Sequence, residues 1–312
     1  MAVLVFGAGA VGTLFAGLFA RAGRSVDLRC RPAQVGTISD RGVQIEGSVA
    51  GRFPVRALGA LPRPLRAELV ILAVKSYDVE AAAREIGESL DASIPILLPQ
   101  NGLGIEALAR AGLRGSPELE EDLIRAVNTI PATWLAPGRV RYAGRGEIRL
   151  PAVEEPMRRR TAIAEFRALF EEAGIRVANV ADLDAALYTK AIVNAVINPL
   201  TADRGVPNGA LEGGDLRPIA EALFAEAIEA VRATGHRLDR ASVEEELWRT
   251  VRATATNRSS MLQDVDRGRP TEIEAISGAL LAVGHAAGVP MPATERIVAR
   301  LRARPPRHGQ GS

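Results

Sequence analysis

The segment Leu187-Tyr188-Thr189-Lys190-Ala191-Ile192-Val193-Asn194-Ala195-Val196-Ile197-Asn198-Pro199-Leu200 concentrates more chemistry than any other stretch of the chain. Lys190, Asn194 and Asn198 recur at every fourth residue, so on a helix they cover an arc of about 80° on one face. The residues between them are all apolar. A helix buried nearly all round must satisfy one amine and two amides internally or use them to line a ligand site. Interhelical hydrogen bonds accommodate asparagine easily and lysine poorly. Composition points the same way, because only two of the 39 basic side chains are lysines, Lys75 and Lys190. An ammonium has a movable pKa and can give up a proton, which a guanidinium does reluctantly. Chance survival of two lysines is the alternative.

Further groups lie downstream. Ser260-x-x-Gln263 and Thr271-x-x-Glu274 both read as capping boxes, hence as two helix starts. A helix start favours a carboxylate, so Glu272, placed in a first turn, would be held ionised and available to pair with Lys190. Such pairing opposes the desolvation that depresses a buried lysine's pKa, leaving Lys190 able to serve as a general acid.

At the other end of the chain, Gly7-Ala8-Gly9-Ala10-Val11-Gly12 directly follows an apolar strand and opens an amphipathic helix. That context makes G-x-G-x-x-G a dinucleotide-binding loop: Gly7 for the turn, Gly9 for close approach of a pyrophosphate, Gly12 for helix packing. The second strand ends Leu28-Arg29-Cys30-Arg31 without a terminal carboxylate. A ribose 2'-hydroxyl calls for an acid there and a 2'-phosphate for an arginine, so the expected cofactor is NADPH with Arg31 as a contact. Lys75 and Asn101 follow later strand-like runs, where open α/β sheets place their ligands. For Asn101-Gly102, plain turn chemistry is the competing account.

Strand signals at Ala2–Phe6, Ser25–Leu28, Leu69–Val74 and Ile94–Leu98 alternate with helical patterns, which predicts a Rossmann-type parallel sheet over 1–181. Strand-like pieces at Leu123–Ile130, Arg139–Tyr142, Glu147–Leu150 and Arg176–Val180 would extend or edge that sheet, with a helix at Arg158–Ala173. From 182 to 303 the period is helical throughout, with segments at 182–198, 215–234, 242–256, 272–287 and 292–303, so an all-helical second domain is expected. The Arg/Pro/Gly-rich tail 304–312 is expected to be disordered.

Composition excludes several classes. The net charge is +2 and no long basic run with interleaved aromatics occurs, which argues against nucleic acid. The lone cysteine, Cys30, precludes an internal disulfide and fits a reducing cytoplasm. Three histidines without metal spacing argue against zinc. Residues 2–20 are uncharged, but glycines interrupt them and no basic residue precedes them, so they read as strand, turn and helix rather than a signal peptide or membrane span.

Taken together, Gly7-x-Gly9-Ala10-x-Gly12, Val74-Lys75, Asn101-Gly102-x-Gly104, Lys190-x-x-x-Asn194-x-x-x-Asn198-Pro199-Leu200-Thr201-Ala202, Pro207-Asn208-Gly209, Ser259-Ser260-Met261-Leu262-Gln263-Asp264 and Thr271-Glu272-Ile273 resemble the ketopantoate reductase family over nearly the whole chain. The resemblance implies NADPH-dependent reduction of the 2-oxo acid 2-dehydropantoate in pantothenate biosynthesis, while monomer and homodimer both stay open. It implies that Lys190 is the general acid and that Asn194, Asn198, Asn208 and Ser260 bind substrate. Asn101 would touch cofactor and substrate, Lys75 and Arg31 the cofactor, and Glu272 the nicotinamide ribose and the lysine. Asn128-Thr129-Ile130-Pro131-Ala132-Thr133 departs from the family's usual Gly/Thr-rich, His-containing loop, and no role is carried over from it. A sister reductase for another 2-oxo acid, or a dinucleotide sensor without catalysis, would share the glycine loop. The sensor would have no use for Lys190.

Overall fold

The computed structural model describes residues 2–90, 93–114, 119, 122–152 and 157–304. Contacts divide the chain into two units, Met1–Gln100 with Ile105–Leu183, and Asn101–Gly104 with Asp184–Ser312. All but the first residue of the tail 304–312 lies outside the described residues.

The first unit carries β1 (Ala2–Phe6), β2 (Val26–Arg29), β3 (Val43–Gly47), β4 (Gly51–Phe53), β5 (Arg56–Leu58), β6 (Ala67–Leu72), β7 (Ile96–Leu98), β8 (Leu123–Arg125), β9 (Val127–Asn128), β10 (Ala132–Ala136), β11 (Arg139–Tyr142), β12 (Ile148–Pro151) and β13 (Val177–Val180). Its helices are α1 (Ala10–Arg21), α2 (Pro32–Arg41), α3 (Val79–Gly87), α4 (Ile105–Gly112) and α5 (Met157–Glu172). A six-stranded sheet runs β5-β2-β1-β6-β7-β8, with every pair parallel. Central strands of such a sheet are buried on both faces, which is why β1 reads as a continuous apolar run and β6 as one from Leu69 onward, after Glu68.

The later strand-like pieces behave differently from the expectation. Only Leu123–Arg125 joins the large sheet. Leu123–Ile130 is broken after Arg125, β11 pairs with β3 and β10 in a second sheet, and β12 lies between β13 and β9 in a third. The second sheet packs on α1, where a methyl group on Gly17 would strike Val43 and Ile45. Phe15 and Phe19 of α1 meet Phe170 of α5 at ring separations of 5.2 and 5.5 Å, closing this core.

The second unit is helical: α6 (Leu183–Arg204), α7 (Leu216–Ala233), α8 (Arg240–Ala253), α9 (Ser260–Asp266), α10 (Ala279–Ala286) and α11 (Pro292–Arg302). The helix expected to stop at Asn198 continues through Pro199 to Arg204. Proline inside a helix costs about 3 kcal/mol. Here residues 195–202 are all buried in the core with Leu223, Phe224 and Ile228 of α7, and that burial outweighs the cost. Among the described residues no helix is long and apolar enough to cross a membrane, and no group of three or more His, Cys, Asp or Glu could hold a metal ion.

Glu147, mostly buried just before β12, ties the third sheet together through Arg149 and Arg176, both at 2.8 Å. Burial pushes its pKa up, but the hydrogen bonds and charges of the two arginines outweigh burial and hold it below the usual carboxylate value. Because the folded value is the lower one, the stabilisation is complete at neutral pH and is lost as pH falls through the carboxylate range. Glu147→Gln should therefore lower stability by up to about 1 kcal/mol at pH 7 and by almost nothing near pH 3, as read from thermal melts across that range.

Candidate active site

The glycine loop connects β1 to α1. Gly7 has φ +116°, and a β-carbon there would lie 2.8 Å from the Ala73 carbonyl oxygen. At Gly12 a β-carbon would come within 1.8 Å of the Gly7 oxygen, so the turn closes only with hydrogen at that position. Gly9 is different: nothing lies within 4 Å of the place where its β-carbon would sit. It is the N-cap of α1, and the N–H groups of Ala10, Val11 and Gly12 have no intrahelical carbonyl to bond. Ala8 is buried behind them. Open space in front of free N–H groups at a helix's positive end is a cradle for an anion such as a phosphate.

Around this loop stand the other strand ends. Asp27 is buried mid-strand and hydrogen-bonds Arg56, so it is spent inside the sheet. Arg29 is likewise spent on Glu85, at 2.7 and 2.9 Å. Arg31 is exposed at the N-cap of α2, where its backbone N–H donates to Gln34 Oε1. β6 ends at Leu72, not at Val74, and Lys75 caps a short 3-10 turn, Ser76–Asp78, half-buried. Ala73 and Val74, which lead to Lys75, are the residues that crowd Gly7.

Sequence reasoning missed Arg125. It sits at the end of β8, buried, and donates to the carbonyls of Leu98 at 3.1 Å and Gln100 at 3.3 Å. Burial pushes its pKa down to about 10, against the opposing field of Glu106, and it stays charged at neutral pH. Gln100 in turn donates through Nε2 to the Leu72 carbonyl. The two side chains brace the ends of β6, β7 and β8, from which Lys75 and Asn101 depart. The only advance sign was an arginine closing an apolar run.

In the helical unit, the segment Asn101–Gly104 seats on a π-turn, Glu274–Gly278, that leads into α10. Leu103 N–H donates to the Ala275 carbonyl at 2.9 Å. Gly102 has φ +91° and no room for a β-carbon, which would lie 2.5 Å from the same oxygen. Glu272 is buried just ahead of this turn rather than inside a first helical turn, and its carbonyl accepts from Ile276 N–H. The box expected at Thr271 does not close through Glu274, because that carboxylate pairs with Arg302 at 2.6 and 2.7 Å.

On α6 the polar stripe grades from half-buried Lys190 and Asn194 to buried Asn198. Asn194 Nδ2 is buried and has no hydrogen-bond partner among the described residues. The same holds for Asn208 Oδ1, on a side chain 6% exposed. Asn208 also donates from its backbone to Asn257, close to the start of α9. The cap of α9 is Ser259, one residue earlier than expected: its Oγ accepts from Leu262 N–H at 3.1 Å and meets Thr201 Oγ1 at 2.7 Å. Gln263 bonds the Arg258 carbonyl instead of closing a box at Ser260. Relieved of capping, Ser260 is exposed at the first helical position. A donor and an acceptor left buried and unmet, on a unit that also carries Lys190, are what a polar ligand would satisfy.

The first unit is thus a Rossmann-type fold of the kind oxidoreductases use, followed by a helical unit with a lysine–asparagine stripe. Residues 3–155 match the family model described as ketopantoate reductase PanE/ApbA, and residues 182–304 match the model of its C-terminal part. The chain belongs to the ketopantoate reductase family. It is 33% identical to a 2-dehydropantoate 2-reductase of Archaeoglobus fulgidus, covering 92% of each chain, and 31% identical to that of Pyrococcus horikoshii, covering 97% of each. Among solved structures it resembles a PanE/ApbA family ketopantoate reductase from Ralstonia eutropha JMP134, with a TM-score of 0.84, 31% identity and 97% of each chain covered. A D-mandelate dehydrogenase, solved with NADH and anilino(oxo)acetate, shares the fold at a TM-score of 0.87 and 22% identity, with 97% of each chain covered.

The three loop glycines separate fold from binding. Gly12→Ala should lower the melting temperature sharply, by clash with the Gly7 carbonyl. Gly9→Val should fold, with a stability loss of about 1 kcal/mol from the poorer cap, and should weaken dinucleotide binding at least about tenfold by filling the cradle. Thermal melts together with a fluorescence titration of NADPH check both.

Proposed function

We propose that this chain reduces 2-dehydropantoate with NADPH. The observation that carries the reading is the pair of unmet buried groups, Asn194 Nδ2 and Asn208 Oδ1, on the unit whose long helix holds Lys190. The first unit fits the cofactor: the free N–H groups and open space at Gly9 suit the diphosphate, and exposed Arg31, with no carboxylate ending β2, suits a 2'-phosphate. Lys75 and Asn101, set by the braced strand ends, would hold the nicotinamide half, with Glu272 at its ribose.

Reduced nicotinamide, when bound, supplies a hydride for the C2 carbonyl carbon. As negative charge grows on the carbonyl oxygen, Lys190 stabilises it and gives it a proton from Nζ, leaving a 2-hydroxy acid. Asn194, Asn198, Asn208 and Ser260 orient the carboxylate and the distal hydroxyl. Glu272 would serve as the partner of Lys190 beside the nicotinamide ribose.

Lys190→Ala should reduce kcat at least about 100-fold, the usual contribution of a positioned acid. Lys190→Arg should stay poor, because a guanidinium holds its proton. Near-normal turnover in either variant would remove Lys190 from the acid role. A steady-state panel of 2-oxo acids, each with NADPH and NADH, tests the rest. The expected ranking puts 2-dehydropantoate first and NADPH well ahead of NADH. Equal rates for pyruvate-like or branched acids would leave a broader oxo-acid reductase.

A further inference from the structure

Asn208 does not hold its amide orientation alone. Its Nδ2 donates to Thr254 Oγ1 at 2.9 Å, at the C-terminal end of α8. Thr254 Oγ1 donates its single proton to the Thr250 carbonyl at 2.7 Å, one helical turn back. A hydroxyl has one proton, so towards Asn208 it can only accept. That fixes which end of the amide faces Thr254: the NH2 group must point there, and Oδ1 must point away. The backbone clamps this residue and the next, through Asn208 N–H to the Asn257 carbonyl at 3.0 Å and Gly209 N–H to the Ala255 carbonyl at 2.9 Å. Asn208 Oδ1 is consequently a fixed, buried acceptor with no donor among the described residues. A group of this kind rejects a ligand that brings no donor, because the acceptor then stays desolvated and unpaired.

We propose that Thr254 is a specificity-determining positioning residue, which holds Asn208 Oδ1 ready for a ligand hydroxyl and so selects hydroxylated 2-oxo acids over those with hydrogen in its place. Asn194 Nδ2 is its complement, a buried donor that only an acceptor such as a carboxylate or carbonyl oxygen can meet. One donor and one acceptor on the same ligand describe a hydroxy-oxo acid. The inference rests on the reductase reading and adds to it the residue that sets the preference for a hydroxyl. Thr254 need not touch substrate to do so.

The test compares kcat/KM for 2-dehydropantoate and for its analogue with hydrogen replacing the hydroxyl, in the wild type, Thr254→Val and Thr254→Ser, with thermal melts of each. Wild type should favour the hydroxylated acid by about tenfold to a hundredfold. Thr254→Val, which frees the amide to turn, should shrink that preference about tenfold, mainly through a raised KM for the hydroxylated acid. Thr254→Ser, with the hydroxyl restored, should recover it. A Thr254→Val enzyme that loses kcat/KM equally on both acids, or keeps the full preference, overturns the proposal while leaving the reductase reading intact. A wild type that reduces neither acid overturns both. Should the valine variant fail to fold, Thr254→Ala takes its place: a shrunken preference supports the proposal, and an unchanged one overturns it.

Discussion

Hydrocarbon on nearly every side of α6 is the constraint on which the helical unit depends. Within Ala191–Ala202 every residue except Asn194 is buried. A buried polar group has to find a partner or be tolerated for another reason. Thr201 finds Ser259 and the backbone, whereas Asn194 keeps an unmet N–H. The same helix therefore builds the core and presents the polar stripe. Pro199 shows how strong the packing is, since the helix passes through a residue that ends most helices.

The first unit works through backbone geometry and strand ends. Its cradle is made of absent side chains, at Gly7, Gly9 and Gly12, each lacking one for a different reason. Its charged residues divide between structure and availability: Asp27 and Arg29 are consumed by Arg56 and Glu85, leaving Arg31 exposed. Arg125 is the expensive member, a buried cation spent on two carbonyls at the strand ends. Burying a charge is a poor route to stability, and apolar residues of similar volume often do better. Its merit is in holding the ends of β7 and β8 together through the Leu98 and Gln100 carbonyls.

Much of this was legible in the sequence. The parallel sheet showed itself because β1, β7 and the Leu69–Leu72 part of β6 are apolar throughout, and α6 because three polar residues recur at helical spacing. Strands β3, β4 and β5 were not foreseen, being short or polar on alternate residues, nor was β10, whose residues are all half-buried, nor α2, which buries only Ile38. Capping boxes at Ser260 and Thr271 were misplaced for one reason: the pattern names residue types, while the partner is set by packing. Ser259 is drawn in by Thr201, and Glu274 is drawn off by Arg302. Arg125 and Thr254 act through contacts distant in sequence, with the carbonyls of Leu98 and Gln100 and with Asn208, and spacing carries no record of those.

The π-turn at Glu274–Gly278 bears on how the chain can change in length. A π-turn holds one residue more than the α-helix that continues from it. Deleting one residue there would restore the α-helical pattern, in which the Ala275 carbonyl is taken by the helix's own N–H four residues on, whereas the π-turn sends the Ala279 N–H to Glu274. The Ala275 carbonyl that seats Leu103 would lose its place, and with it the bed for the Asn101 loop. A single-residue deletion, harmless in many surface loops, would therefore cost this stretch its seat for Leu103 even where every side chain is replaceable.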